Sequence, residues 1–468
     1  MKSLSKYQFQ LISIGIIALV VGFLFQKLLT GEYTFGGPDS LSPSAIHQGI
    51  TSAEEEYGKY PLWLPWVFSG LPSVHSFQHI SDYYFPNYLV NFLTSMGIPG
   101  FWNYIFHFIL AGMGIFAILM KLGTSRYSAL FGGITFALMP YLITMVVHGH
   151  GSQMMTTAWL PWVIWAILRL YDETNIKNLG LLGLIVGLQM QRAHVQIAYY
   201  SWMAAGLLIV MLLFRIYEKH NHYPKWIVYT GCAFILGLCM AMWIYLPAMT
   251  YTPYSIRGAG SGGGTGFDYA TAWSFSFGEM LTFFIPSFYG FGGATYWGNM
   301  PFTDYPNYMG IIVLTFAIIG TLLHESKIKW YFVTLACLSI LISFGKNFFL
   351  YQIFYDYFPY FNKFRVPAMF LILTQFSVAV LAGLGLETTS NFIKTNASIK
   401  KLSGVLISII VILVLIKLFC IPKPGFFPKY PQSNLPSDVI LNFTISSTVF
   451  LIFFLILKIL NSTLVKPR

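Results

Sequence analysis

The chain has 468 residues, of which 56% are hydrophobic, 18% aromatic and only 9% charged, with a mean hydropathy of +0.65. That is more apolar side chain than a soluble domain of this length can bury, so the composition excludes a soluble globular protein and indicates a polytopic membrane protein. The net charge of +11 is not gathered on a soluble basic face, which argues against nucleic-acid binding.

A spanning helix needs about 20 mostly apolar residues, because backbone polar groups in hydrocarbon must be paired within the segment. Twelve runs approach this requirement: 10–30, 101–121, 128–147, 153–171, 177–191, 195–216, 225–248, 307–324, 329–345, 366–385, 403–421 and 442–460. The fifth is short. Lys2 and Lys6 precede the first run and no small-residue cleavage pattern follows it, so it reads as a retained signal anchor. The expected fold is therefore all-α, a polytopic transmembrane helical bundle forming a single integral membrane domain over 1–468.

With the N-terminus in the cytoplasm, 17 of the 27 basic residues but only 5 of the 16 acidic ones fall on the inner side. This is the positive-inside bias, and twelve spans put both termini in the cytoplasm. The outer side then carries the long loops 31–100, 249–306, 346–365 and 422–441, where function in such a scaffold concentrates. Cys232, Cys239, Cys337 and Cys420 lie in or at the end of spans and read as packing residues, with no external disulfide framework.

The first outer loop opens on FGGPDSLSP (35–43), whose carboxylate, Asp39, stands immediately beyond the first span. A carboxylate there either caps a turn or meets a substrate with a polar head and a tail in lipid, as a general base or as a ligand to a divalent cation. Asp82 in SDYYFPN shares a cation or a sugar hydroxyl with Asp39, or caps the helix that follows. Glu54, Glu55 and Glu56 read as a solvated face. Segment 85–97 has the pattern of a helix lying at the interface, with Tyr and Phe at headgroup depth.

HGHGSQ (148–153) and RAHVQIAYY (192–200) place His148, His150, Gln153, His194 and Gln196 at outer helix ends. Their spacing is not that of a metal site, so no metal ligands are assigned; they bind a sugar or phosphate, or cap the hairpins. Arg192, and Lys363 with Arg365 in KFRVPAMF (363–370), are cations near the ends of membrane helices. Each either anchors at the interface or meets phosphate, to which guanidinium is suited in bidentate fashion. The run RGAGSGGGTGF (257–267) lacks the Lys-Ser/Thr of a phosphate loop and reads as a flexible outer loop.

The ordered set PDSLSP, P-W-x-F-S-G-x-P (65–72), SDYYFP, GHGSQ with AWLPW (158–162), AHVQIAYY and KFRVP resembles the bacterial YfhO-like membrane proteins over about residues 10–390. That family resembles the C-type (GT-C) glycosyltransferases, polytopic enzymes that take a sugar from a polyprenyl-phosphate carrier at the outer face of the membrane. The resemblance implies an acid in the first outer loop as catalytic residue, here Asp39. Residue charge and side give Arg192 or Arg365 the donor phosphate. It also implies the bacterial cytoplasmic membrane as location, with an envelope lipid, polymer or protein as acceptor and no nucleic acid as partner. A transporter or flippase of lipid-linked saccharides is the rival expectation, and a catalytically silent assembly factor the third. A transporter would carry ionisable groups near the midplane, whereas this sequence concentrates them at helix ends.

Overall fold

The computed structural model describes residues 6–35, 38–76, 84–214, 223–255, 258, 265–286, 288–290, 292–395 and 399–419, with scattered positions between 441 and 455. In chain order come α1 (Lys6–Leu24), α2 (Pro38–Tyr57), α3 (Pro86–Ser95), α4 (Trp102–Lys121), α5 (Arg126–Ala137), α6 (Pro140–Val147), α7 (Gly151–Asp172), α8 (Ile176–Gln191), α9 (Val195–Leu213) and α10 (Tyr223–Tyr251). Two single-turn helices follow, α11 (Phe267–Ala270) and α12 (Gly292–Thr295), and then α13 (Ile311–Leu323), α14 (Lys329–Ser343), α15 (Phe349–Tyr357), α16 (Leu371–Thr395) and α17 (Ile399–Phe419). The one sheet among the described residues is a two-stranded antiparallel ladder, β1 (Trp63–Leu64) on β2 (Leu71–Pro72), with Leu64 opposite Leu71.

Eleven of the twelve expected spans coincide with these helices; the twelfth, 442–460, lies outside the described residues except for scattered positions, which are helical. Five helical segments among the described residues are long and apolar enough to cross a bilayer: Trp102–Lys121, Arg126–Val147, Val195–Leu213, Tyr223–Tyr254 and Pro367–Ile393. The chain is a helical membrane bundle.

Local sequence sets the helix ends. Ser125 and Asn175 cap α5 and α8 by accepting the amides of Ser128 (3.4 Å) and Asn178 (2.9 Å). The expected single span 128–147 is two helices. Pro140 has no amide to donate and disfavours a helical residue before it, so α5 stops and α6 begins on the proline. Within 31–100, α2 occupies 20 residues that composition alone did not mark as helical, with Asp39 in its first turn. A carboxylate there faces the positive end of the helix dipole. The expected interfacial helix is α3, with Tyr88, Leu89 and Phe92 exposed. Between β1 and β2 the chain turns through Phe68 and Ser69 at positive φ (49° and 63°), leaving Phe68 90% exposed. The loop 346–365 likewise holds a helix, α15. The glycine-rich run 257–267 falls largely outside the described residues.

The chain divides into two compact units, 1–117 with 142–267 and 359–364, and 118–141 with 268–358 and 365–468. In the first, α8 packs on α7 and α10, and the α8–α10 seam is lined by glycine: a Cβ at Gly237 would sit 2.5 Å from Val186 Cγ1, and one at Gly187 would sit 2.7 Å from Met240 Sδ. In the second, α16 is the central helix, buried from Phe370 to Leu384 and packed by α5, α13 and α14. Backbone meets backbone on its α13 side, where a Cβ at Gly385 would overlap the Phe316 carbonyl and one at Gly320 the Leu381 carbonyl. Small residues permit this approach, which in lipid replaces the hydrophobic drive with close van der Waals packing.

Candidate functional site

Three of the sequence motifs converge in the first unit. Helix α6 ends at Val147 and α7 begins at Gly151, so HGHG is the tight turn between them, with His150 at the N-cap of α7. From α2, the Asp39 carboxylate approaches this turn, its Oδ2 lying 3.4 Å from His150 Nε2. Both side chains are open to solvent, which leaves them accessible to a reactant and makes the pair worth little for stability. Behind His150, Gly151 packs on the ring of Tyr104 at the start of α4; a Cβ there would lie 2.5 Å from the Tyr104 ring and hydroxyl.

The third motif supplies the charge. Arg192 follows α8 and is only 5% exposed. Its guanidinium lies over the Tyr84 ring, 4.6 Å from the centroid, and its charge acts on Tyr104 and His107. Among the described residues neither Nε nor Nη1 of Arg192 has a hydrogen-bond partner, and no carboxylate forms an ion pair with it. A buried cation without a counter-charge is costly, and the ring face of one tyrosine compensates only part of that cost.

Tyr84 is itself locked. His107 Nδ1 is 2.7 Å from the Asn103 carbonyl, to which it must donate, so Nε2 is the acceptor; it takes the Tyr84 hydroxyl proton at 2.9 Å, while Tyr84 Oη accepts Trp159 Nε1–H at 3.0 Å. Burial pushes the Tyr84 phenol pKa up despite the opposing Arg192 charge, which keeps it neutral. With its hydroxyl used on both sides, the ring is held edge-fixed beneath the arginine. Tyr84 and Trp159 fall in the SDYYFP and AWLPW motifs without having been singled out as site residues; Tyr104 and His107 were not expected from sequence, although a histidine within the apolar run WNYIFHFIL (102–110) is a visible signal.

The other expected residues are distributed as follows. His194 caps α9, its Nδ1 accepting the Ile197 amide at 3.3 Å, and Gln196 is buried and donates to the Tyr200 hydroxyl at 2.7 Å. Gln153 is buried in the first turn of α7 and His148 is half-buried in the turn before it. Asp82 lies outside the described residues. Lys363 belongs to the first unit, in a segment tied to α9 by the Tyr199 hydroxyl, which donates to the Pro359 carbonyl at 2.5 Å. Arg365 belongs to the second unit. There its guanidinium faces the rings of Tyr269 (5.3 Å) and Trp273 (5.9 Å), and Nη1 donates to the Tyr269 hydroxyl at 2.8 Å. The next residue, Val366, is held at φ 63°, unusual for a β-branched side chain.

Among the described residues no group of three or more His, Cys, Asp or Glu is gathered to hold a metal ion. The residues at Asp39 offer one carboxylate and one imidazole, too few for a tetrahedral or octahedral cage of their own.

The fold is similar to that of a solved glycosyltransferase. The chain superposes on the cryo-EM structure of the arabinofuranosyltransferase AftD from Mycobacteria with a TM-score of 0.50 at 10% sequence identity, covering 96% of this chain. It spans 28% of that protein's length. No protein-family profile matches the chain, and neither does any curated protein sequence.

Proposed function

We propose that the protein is a glycosyltransferase of the GT-C type that moves a sugar from a polyprenyl-phosphate carrier to an acceptor hydroxyl at the outer face of a bacterial cytoplasmic membrane. The observation that carries this reading is Arg192, a buried guanidinium with two nitrogens unpartnered among the described residues, whose charge acts on Tyr104, the residue against which Gly151, next to His150, packs. An anion is the ligand that such a cation lacks, and phosphate matches the guanidinium fork. The fold shared with AftD supports the class, and the motif order supports kinship with the YfhO-like proteins.

In this mechanism the acceptor oxygen attacks the anomeric carbon, the bond from that carbon to the phosphate oxygen breaks, and the acceptor proton passes to Asp39. His150 shares the charge of Asp39 and holds its carboxylate in position. Arg192 stabilises the negative charge that grows on the departing lipid phosphate, an electrostatic contribution made stronger by exclusion of water. The prenyl tail stays in hydrocarbon while the reacting head meets these groups at the boundary, with Lys363, of the same unit, as a further phosphate ligand.

The test is sugar transfer by the purified protein in proteoliposomes containing a polyprenyl-phosphate sugar. Asp39→Asn is expected to reduce kcat by about 10²-fold or more with donor binding retained. Full transfer by a folded Asp39→Asn protein would remove the proposed base. Movement of the carrier across the bilayer without transfer would replace this reading by a flippase.

A further inference from the structure

In the second unit, far along the chain from the residues used above, a single buried carboxylate and an unpaired amide oxygen face one small cavity. Glu279 is 1% exposed. Its Oε2 accepts the Ser276 amide at 2.8 Å and its Oε1 accepts the Tyr296 hydroxyl at 2.5 Å. Tyr296 Oη in turn accepts the Met300 amide at 3.0 Å. The Ser276–Glu279 exchange is a capping box for the short helix 278–283, which accounts for one carboxylate oxygen but not for a cavity. Asn307, 6% exposed, lines the same cavity, and its Oδ1 has no hydrogen-bond partner. Thr282, Thr303 and Gly290 line it as well, beside an apolar part formed by Phe275, Met300 and tyrosine rings.

The space admits the centre of one water-sized sphere over about 10 Å³, room for a water or a bare ion and too little for a sugar ring. What its wall lacks is positive charge: the carboxylate has no ion-pair partner among the described residues, and the unpaired oxygen is an acceptor. The lining contains neither His nor Cys, so it suits a hard cation and not a transition metal. One carboxylate among neutral oxygens balances a single positive charge, whereas a divalent ion is ordinarily met by several.

We propose that Glu279 and Asn307 form a binding site for one alkali cation of the sodium class, which fixes the segment 272–309. The site is independent of the transfer reading, and its test does not measure transfer. The full-length protein in detergent is unfolded thermally in sodium chloride and in choline chloride at equal ionic strength. Sodium is expected to raise the midpoint by about 2 °C or more with a saturable dependence, and to show broadened sodium NMR lines in the presence of protein. Glu279→Gln, nearly isosteric, is expected to fold and to lose both effects; should it fail to fold, Asn307→Ala, which leaves the bonds of Glu279 in place, is expected to lose them instead. Asn307→Asp adds a second carboxylate and is expected to transfer the preference to calcium. Equal midpoints in sodium and choline for the unmodified protein, or a sodium effect retained by the folded Glu279→Gln or Asn307→Ala protein, would overturn the proposal.

Discussion

An arginine buried with no ion-pair partner among the described residues makes two demands that can be measured apart. For the fold it is a burden, since the Tyr84 ring compensates only part of its desolvation. For an anionic ligand it is the attractive group. Arg192→Met, similar in length and apolar, is therefore expected to leave the unfolding midpoint unchanged or raise it, while transfer falls by about 10²-fold or more. A midpoint that dropped with activity would make Arg192 a structural residue. Tyr84→Phe has the opposite signature: it keeps the ring beneath the guanidinium but leaves His107 Nε2 and Trp159 Nε1 without their partner. Each buried group so stranded costs about 1–3 kcal/mol, seen as a lower unfolding midpoint. Glu279 gives a pH signature. Burial raises its pKa in the folded state, so the native protein holds this proton more tightly than the unfolded chain does. Its contribution then favours folding at low pH and is lost as pH rises from the ordinary carboxylate value through the raised native one. Comparison of unfolding midpoints across that window in choline chloride is expected to show the slope in the unmodified protein and its absence in Glu279→Gln.

At the scale of elements, glycine decides what can pack. Gly385→Ala places a methyl into the Phe316 carbonyl across the α13–α16 seam and is expected to destabilise by about 1–3 kcal/mol, measured by thermal unfolding in detergent. Gly206, in α9, has nothing within 4 Å of an added Cβ, and Gly206→Ala is expected to stabilise by about 0.5–1 kcal/mol through helix propensity alone. The helices themselves were legible in the sequence because apolar length is a strong signal. The break before Pro140 was overlooked although the proline is visible, since hydropathy averages across it. Helix α2 was hidden by Pro38, Pro43 and a polar composition, and its packing, through Ile46 and Ile50 against Leu64 and Val67, exists only in the fold. Of the candidate site, His150 and Arg192 stood out as polar groups where apolar ones would be easier to place in lipid. Tyr84 and Trp159 lie in the quoted motifs SDYYFP and AWLPW, but their pairing was not legible, because they are 75 residues apart in a chain with 12 tryptophans and 30 tyrosines, and only folding joins them.

For the whole molecule, the fold shared with AftD and the charge bias of the loops make topology the broadest check. A reporter placed within 31–100 is expected outside the cytoplasm, as is one within 272–309; either one inside would reverse the sidedness on which an outer-face reaction rests. The seam between α13 and α16 bears on how a lipid-borne molecule can reach the interior. Where two backbones touch so closely that a methyl group has no room, an acyl or prenyl chain has none either. At that point the seam offers no passage between α13 and α16 to a molecule whose tail lies in the membrane.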